Sequence, residues 1–239
     1  PVTLTQNINC GLCLECLRTC PQDNIAINLR SFGADLGQMR RRKLDEAFKA
    51  FIMLGSALIY SAVMLGPWGA LKSAASSIGT PNWLIYALGF VALIFGALPG
   101  LFLAAIALGR KLSKAADSLK KTFVAYAYAL VPLGLMAWIA FSISFVFTNI
   151  SYAWSTASDP LGAGWNLLGT AQAAWTPYFT QSIPLLQTMV LLIGLAWSSA
   201  TARRIANETQ LGRSALLQAL PVVGYCCVIT IGLMGLLIG

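Results

Sequence analysis

The stretch NWLIYALGFVALIFGALPGLFLAAIAL runs from Asn82 to Leu108 without one charged side chain. As an α-helix it would reach about 40 Å, while the hydrocarbon core of a bilayer is about 30 Å thick. Helices on the surface of a soluble protein keep one polar face. This stretch has none, so it reads as a membrane span that tilts or extends beyond the lipid. Working outward from it, four more apolar segments lie at about 48–66, 122–150, 182–202 and 215–238. Each is long enough to cross a bilayer as a helix. Pro99, Pro132, Pro184 and Pro221 fall within or near the ends of four of the five segments. They are expected to kink them, since neighbouring membrane helices can satisfy the carbonyls that proline frees.

Composition agrees with this reading. Of 239 residues, 57% are hydrophobic and 10% are charged, against about 25% charged in a soluble domain. A chain so poor in charge cannot cover a water-facing surface, and the expected class is an all-α polytopic membrane protein. The formal charge of +8 would suggest nucleic acid in a soluble protein, but here the cations flank the apolar segments. Arg40, Arg41, Arg42, Lys43 and Lys49 surround the start of the first. Arg110, Lys111, Lys114, Lys120 and Lys121 lie between the second and third. Arg203, Arg204 and Arg213 lie between the fourth and fifth. The other two connections, 67–81 and 151–181, carry one cation, Lys72, and one anion, Asp159. Basic residues thus alternate with helix number. The positive-inside rule then places the N-terminus in the cytoplasm and the C-terminus across the cell's inner membrane. The 151–181 connection is rich in aromatics, among them Trp154, Trp165, Trp175 and Tyr178, as expected of an interfacial belt.

Histidine is absent. That excludes His-ligated haem, a His-rich zinc site and a Ser-His-Asp triad. None of the acidic residues sits deep in an apolar run, so the usual carboxylates of a proton pathway are missing.

Residues 1–46 are polar and form the first of two expected domains; residues 47–239 form the five-helix membrane domain. The first domain holds the sequence CGLCLECLRTCP, with Cys10, Cys13, Cys16, Cys20 and Pro21. The spacing C-x2-C-x2-C-x3-C-P is the iron–sulfur ligand run of bacterial ferredoxins. Two-residue gaps let the chain curl round a cubane, so that Cys10, Cys13 and Cys16 reach three irons. The fourth thiol, Cys20, leaves in another direction and in two-cluster proteins serves the other cluster. Zinc ribbons would need a second, separated C-x2-C pair. Disulfides would not suit the cytoplasmic side on which the charges place the segment. The expected cofactors are therefore [4Fe–4S] clusters, one held here and a second shared with ligands outside this chain. The complementary run is expected upstream of Pro1 or in a partner subunit. The short alternation Ile25–Leu29 could form a strand.

The run and its continuation, CGLCLECLRTCPQDNIAINL, resemble the ferredoxin segments of polytopic membrane iron–sulfur proteins, in particular the NapH-like quinol dehydrogenase membrane components and their NosR-like relatives. The resemblance covers about residues 8–30. It implies a ferredoxin-like [4Fe–4S] relay on the cytoplasmic face, ligated by Cys10, Cys13, Cys16 and Cys20 and coupled to a membrane electron carrier. In those proteins the helices mainly precede the ferredoxin segment, whereas here they follow it.

The expected function is that of a membrane-bound electron-transfer subunit of an oxidoreductase complex, with no catalytic residue of its own. The expected partners are other redox subunits, the lipid bilayer and, as one candidate, a quinone; nucleic acid is not among them. A membrane-bound iron–sulfur redox sensor is the alternative. A transporter gated by the cluster would need polar groups at mid-membrane, where little beyond Ser and Thr is present. Cys226 and Cys227, adjacent in the last segment, point about 100° apart on a helix and so are expected to pack rather than chelate. Trp138, Phe141, Phe145, Phe147 and Trp197 could line a quinone slot, though helix packing is the plainer role. Glu15 and Arg18 could tune a cluster by local charge, though solvated surface residues are the plainer reading.

Overall fold

The computed structural model describes residues 11, 13–22, 24–27, 32, 33, 36, 42–66 and 68–238. The chain divides into two compact units, Pro1–Ala34 and Asp35–Gly239. Among the described residues all regular structure is helical. Residues 24–27 form no strand; Asn28 and Leu29, the rest of the alternation that could have formed one, lie outside the described residues.

In the second unit, five helical stretches are long and apolar enough to cross a membrane: Leu44–Met64, Pro81–Ser113, Leu119–Asn149, Ile183–Thr209 and Arg213–Leu237. They coincide with the five apolar segments, and most run further into polar sequence. The first begins at Leu44 because Asp45 and Glu46 sit in its first turn, where carboxylates favour the helix N-terminus. In chain order the helices are α1 (Glu15–Thr19, in the first unit), α2 (Leu44–Met64), α3 (Gly69–Ser76), α4 (Pro81–Ala92), α5 (Leu98–Ser113), α6 (Leu119–Ala127), α7 (Leu130–Asn149), α8 (Tyr152–Ser158), α9 (Ile183–Thr209) and α10 (Arg213–Leu237).

The four prolines act differently from one another. Pro184 lies in the first turn of α9, where its missing N–H costs nothing and no kink is needed. Pro99 follows a π-helical turn, Leu93–Ala97, that joins α4 to α5. The wider turn makes room for the ring and shifts the hydrogen-bond register, so that Leu98 N–H reaches the Leu93 carbonyl. Pro132 follows a break at Tyr128–Ala129 between α6 and α7. There the Leu133 N–H donates to the buried Ser198 hydroxyl of α9 at 3.0 Å, a side-chain replacement for the lost backbone acceptor. Pro221 alone lies inside a continuous helix, α10.

The helices associate through aromatic rings and close backbone contacts. Phe51 of α2, Phe102 of α5, Phe123 of α6 and Tyr225 of α10 form one cluster. Its ring centroids are 5.3 Å apart for Phe51 and Phe102, 5.6 Å for Phe51 and Phe123, and 5.2 Å for Phe102 and Tyr225. Such pairs add about 0.5–1.5 kcal/mol each beyond the area they bury. Gly109 of α5 lies against α10 so closely that a Cβ there would sit 2.5 Å from the Gln218 carbonyl oxygen. Small residues at helix contacts are how membrane helices gain packing when lipid offers no hydrophobic incentive. Leu84, Ile85, Leu88, Leu101 and Val228, by contrast, are exposed, as lipid-facing side chains would be.

Candidate functional site

The cysteine run lies in the first unit. Its chain turns at Leu14, whose φ of 61° is left-handed, and enters α1 at Glu15. Leu17 N–H and Arg18 N–H both donate to the Leu14 carbonyl, at 3.0 and 3.3 Å. The Thr19 hydroxyl donates to the Glu15 carbonyl at 2.8 Å. This short turn sets Cys16 on α1, with Cys13 and Cys20 just outside its two ends. Cys13 is exposed, and Cys16 and Cys20 are half-buried. Cys10 lies outside the described residues.

Thiolates are the soft donors that iron–sulfur clusters take, so the donor chemistry of Cys13, Cys16 and Cys20 suits such a group. Their geometry is a separate matter. Among the described residues, no three Cys, Asp or Glu side chains come together closely enough to hold a metal ion. Glu15 and Arg18, considered as charges that could tune a cluster, form an exposed ion pair with each other at 3.5 Å.

Other residues singled out in the sequence are dispersed. Cys226 is fully buried in the core of the second unit, and Cys227 beside it is half-buried. Trp138 donates its indole N–H to the Met53 carbonyl at 3.0 Å and packs edge-on against Phe141. Tyr60 covers both rings. Phe145 is exposed, and Phe147 packs on Phe179. Trp138 and Phe141 thus serve the contact between α2 and α7.

The structure also builds a polar cluster that sequence reading did not single out. It lies where α2 starts, α6 starts, α9 ends and α10 starts. Arg42 is bound to Glu208 by two parallel hydrogen bonds, Nη1 to Oε2 at 2.7 Å and Nη2 to Oε1 at 2.6 Å. The Arg42 guanidinium carbon stands 6.0 Å from the centre of the Tyr128 ring. The Tyr128 hydroxyl donates to the Glu46 carboxylate and accepts the Lys43 N–H at 3.1 Å. Arg110 donates to the Asp117 carbonyl, and Lys121 Nζ pairs with Asp117 at 3.0 Å. Arg42, in the basic sequence ahead of the first span, is therefore engaged with a carboxylate of the protein itself. The only hint in the sequence was a few carboxylates scattered among the basic loops; residues 166 positions apart pair only through the fold.

The Arg42 side chain is 10% exposed and that of Glu208 37%, so the pair stands between a surface bridge and a buried one. Arg42→Ala should cost about 2 kcal/mol: a buried pair losing one partner costs about 3–5, and the solvent at Glu208 screens part of that. The double variant Arg42→Ala/Glu208→Ala should recover more than half of the loss. Thermal melts of both proteins in the same detergent check this.

The chain matches no protein-family model, no curated protein and no solved structure, so its chemistry has to follow from its own residues.

Proposed function

We propose that the protein is the membrane subunit of an electron-transfer complex, relaying electrons through [4Fe–4S] chemistry on the cytoplasmic face of the inner membrane. The observation that carries this is the C-x2-C-x2-C-x3-C-P run from Cys10 to Pro21, placed ahead of five helices able to span a bilayer. The excess of Lys and Arg at the basic end of the bundle supports the cytoplasmic placement.

Cys10, Cys13 and Cys16, as thiolates, would hold three irons of one cluster. Cys20, one residue longer in spacing and followed by Pro21, would serve a second cluster whose other ligands come from outside residues 1–239. A bound cluster supplies one-electron exchange, with a potential set by its hydrogen bonds and solvent exposure. The run contains no acid, base or nucleophile arranged to convert a substrate, so net chemistry belongs to the partner subunits. A quinone or a second redox subunit is the partner class this reading requires.

Iron and acid-labile sulfide analysis of protein purified without oxygen, with low-temperature EPR after reduction, tests the proposal. The expected result is about four irons and four sulfides per cluster and, in the intact complex, two interacting signals. Stoichiometric zinc without iron, or thiols joined in disulfides as isolated, would overturn it.

A further inference from the structure

Two basic connections, 110–121 and 203–214, hold one acid each, Asp117 and Glu208. The fold sets them side by side: one cavity of about 60 Å3 is lined by Asp117, Lys121 and Tyr126 from the first side and by Glu208 and Gln218 from the second. Both acids are engaged, Asp117 with Lys121 and Glu208 with Arg42. Lys111, Lys114, Lys120, Arg203, Arg204 and Arg213 are exposed, and their side chains have no partner among the described residues. The uncompensated charge of the two connections is therefore all positive. Exposed cations gathered without acids repel one another and attract an anionic counterpart.

The positions of these cations along the helices show what that counterpart is. A Cβ on Gly109 of α5 would stand 2.5 Å from the Gln218 carbonyl oxygen of α10, so the two residues lie level. Toward the basic end from there, Leu112 is three residues along α5 and Leu216 two residues back along α10, about 3–5 Å away. Lys114 and Arg213 are each five residues from the same level, about 7.5 Å away. Leu112 and Leu216 are exposed, as are Leu108 and Leu220 one turn deeper. On both helices the outward surface thus passes from leucine to cation over about the depth of one headgroup layer, roughly 5–7 Å. Arg203 and Arg204 stand 20 and 21 residues beyond Ile183 on α9, about 30 Å along the helix and so at the far edge of a hydrocarbon core. An acidic protein arriving from water would meet only the charges. A phospholipid meets both parts, its acyl chains along the leucines and its phosphate at the cations. A zwitterionic lipid would also bring an ammonium against unpaired positive charge. We propose that these cations hold the headgroups of anionic phospholipids in the leaflet at this end of the bundle. The inference depends neither on the cysteine run nor on which side of the membrane this end faces.

Spin-label EPR at room temperature tests it on the full chain in phosphatidylcholine vesicles. The motionally restricted fraction of spin-labelled phosphatidylglycerol is compared with that of spin-labelled phosphatidylcholine. Wild type should prefer phosphatidylglycerol by at least about threefold. Salt at about 1 M, where the screening length is about 3 Å, should remove most of that preference. Lys111→Gln/Lys114→Gln/Lys120→Gln and Arg203→Gln/Arg204→Gln/Arg213→Gln should each lower it by about half. Lys72→Gln, in the connection 67–81 at the other end, should leave it unchanged. The charges removed have no partner in the protein, so both triple variants should melt as wild type does. If one does not, the other variant and the salt dependence of wild type are scored. Equal restriction of the two lipids by wild type, or a preference that survives both triple substitutions, would overturn the proposal. So would binding of soluble polyglutamate without any lipid preference, which would give the surface to an acidic protein. A preference abolished by inorganic phosphate but not by chloride at equal ionic strength would overturn it too, by making free phosphate the ligand.

Discussion

Gly109→Val is expected to unseat α5 from α10 and to lower stability by about 3 kcal/mol or more. A Cβ at this position would stand 2.5 Å from the Gln218 carbonyl oxygen and 3.3 Å from its carbon. The obstacle is backbone of a neighbouring helix and cannot rotate away. Overpacking a well-filled interior commonly costs about 1–3 kcal/mol when side chains can yield; here the helices themselves must separate. Separation would also loosen Phe102 from Tyr225 and the bond from the Tyr225 hydroxyl to the Leu98 carbonyl. In a domain of this size a loss of that order lowers the melting midpoint by about 10 °C. Two controls isolate the cause. Gly134→Ala would place its Cβ 2.7 Å from the terminal methyl of Met53, a flexible group that can move, and should cost about 1 kcal/mol or less. Gly224→Ala meets nothing within 4 Å and should be neutral or slightly stabilising, since alanine is the better helix former. Equal melting of Gly109→Val and Gly224→Ala in detergent would refute the tight α5–α10 contact.

The second large effect follows from the proposed function. Cys16→Ser should abolish the EPR signal of the reduced near cluster and remove most of its iron, while leaving the bundle's melting temperature unchanged. The hydroxyl of serine is a hard, weakly acidic group that replaces a thiolate poorly as a ligand to iron–sulfur irons. The melting temperature should hold because the main core of the second unit is built from residues such as Phe51, Leu54, Phe102, Leu130 and Cys226, and none of its described members comes from the cysteine run. Cys227→Ser is the matching control: it changes a thiol on α10, outside the run, and should leave iron content as it was. Full iron content and an unchanged spectrum in Cys16→Ser would remove Cys16 from the ligand set and, with it, the reading of the run as a ferredoxin motif.

These two predictions stand at different distances from the sequence. The five spans were legible because their cause is local. Runs of about nineteen or more predominantly apolar residues suit a bilayer core as helices, and the segments around 48–66, 82–108, 122–150, 182–202 and 215–238 each reappear as a helix long and apolar enough to cross one. The candidate ligands were legible for a similar reason, because a spacing of two and three residues is itself local geometry. Individual prolines were not legible. Pro184, Pro99 and Pro132 sit at a helix start, after a π turn and after a break, and which of these occurs depends on partners such as Ser198 that are remote in the chain.

What the sequence by itself determined, then, is the position of five segments long and apolar enough to cross a membrane, the alternation of basic loops and the thiol spacing of the cysteine run. All of these depend on neighbouring residues and on transfer out of water. Only the tertiary structure decided that Gly109 is a contact rather than a spacer, that Arg42 belongs to Glu208, and that Tyr126 and Gln218 share one cavity wall. Those outcomes rest on helix-to-helix distances of a few ångströms between residues up to 166 positions apart, and no local pattern of hydropathy or charge encodes them.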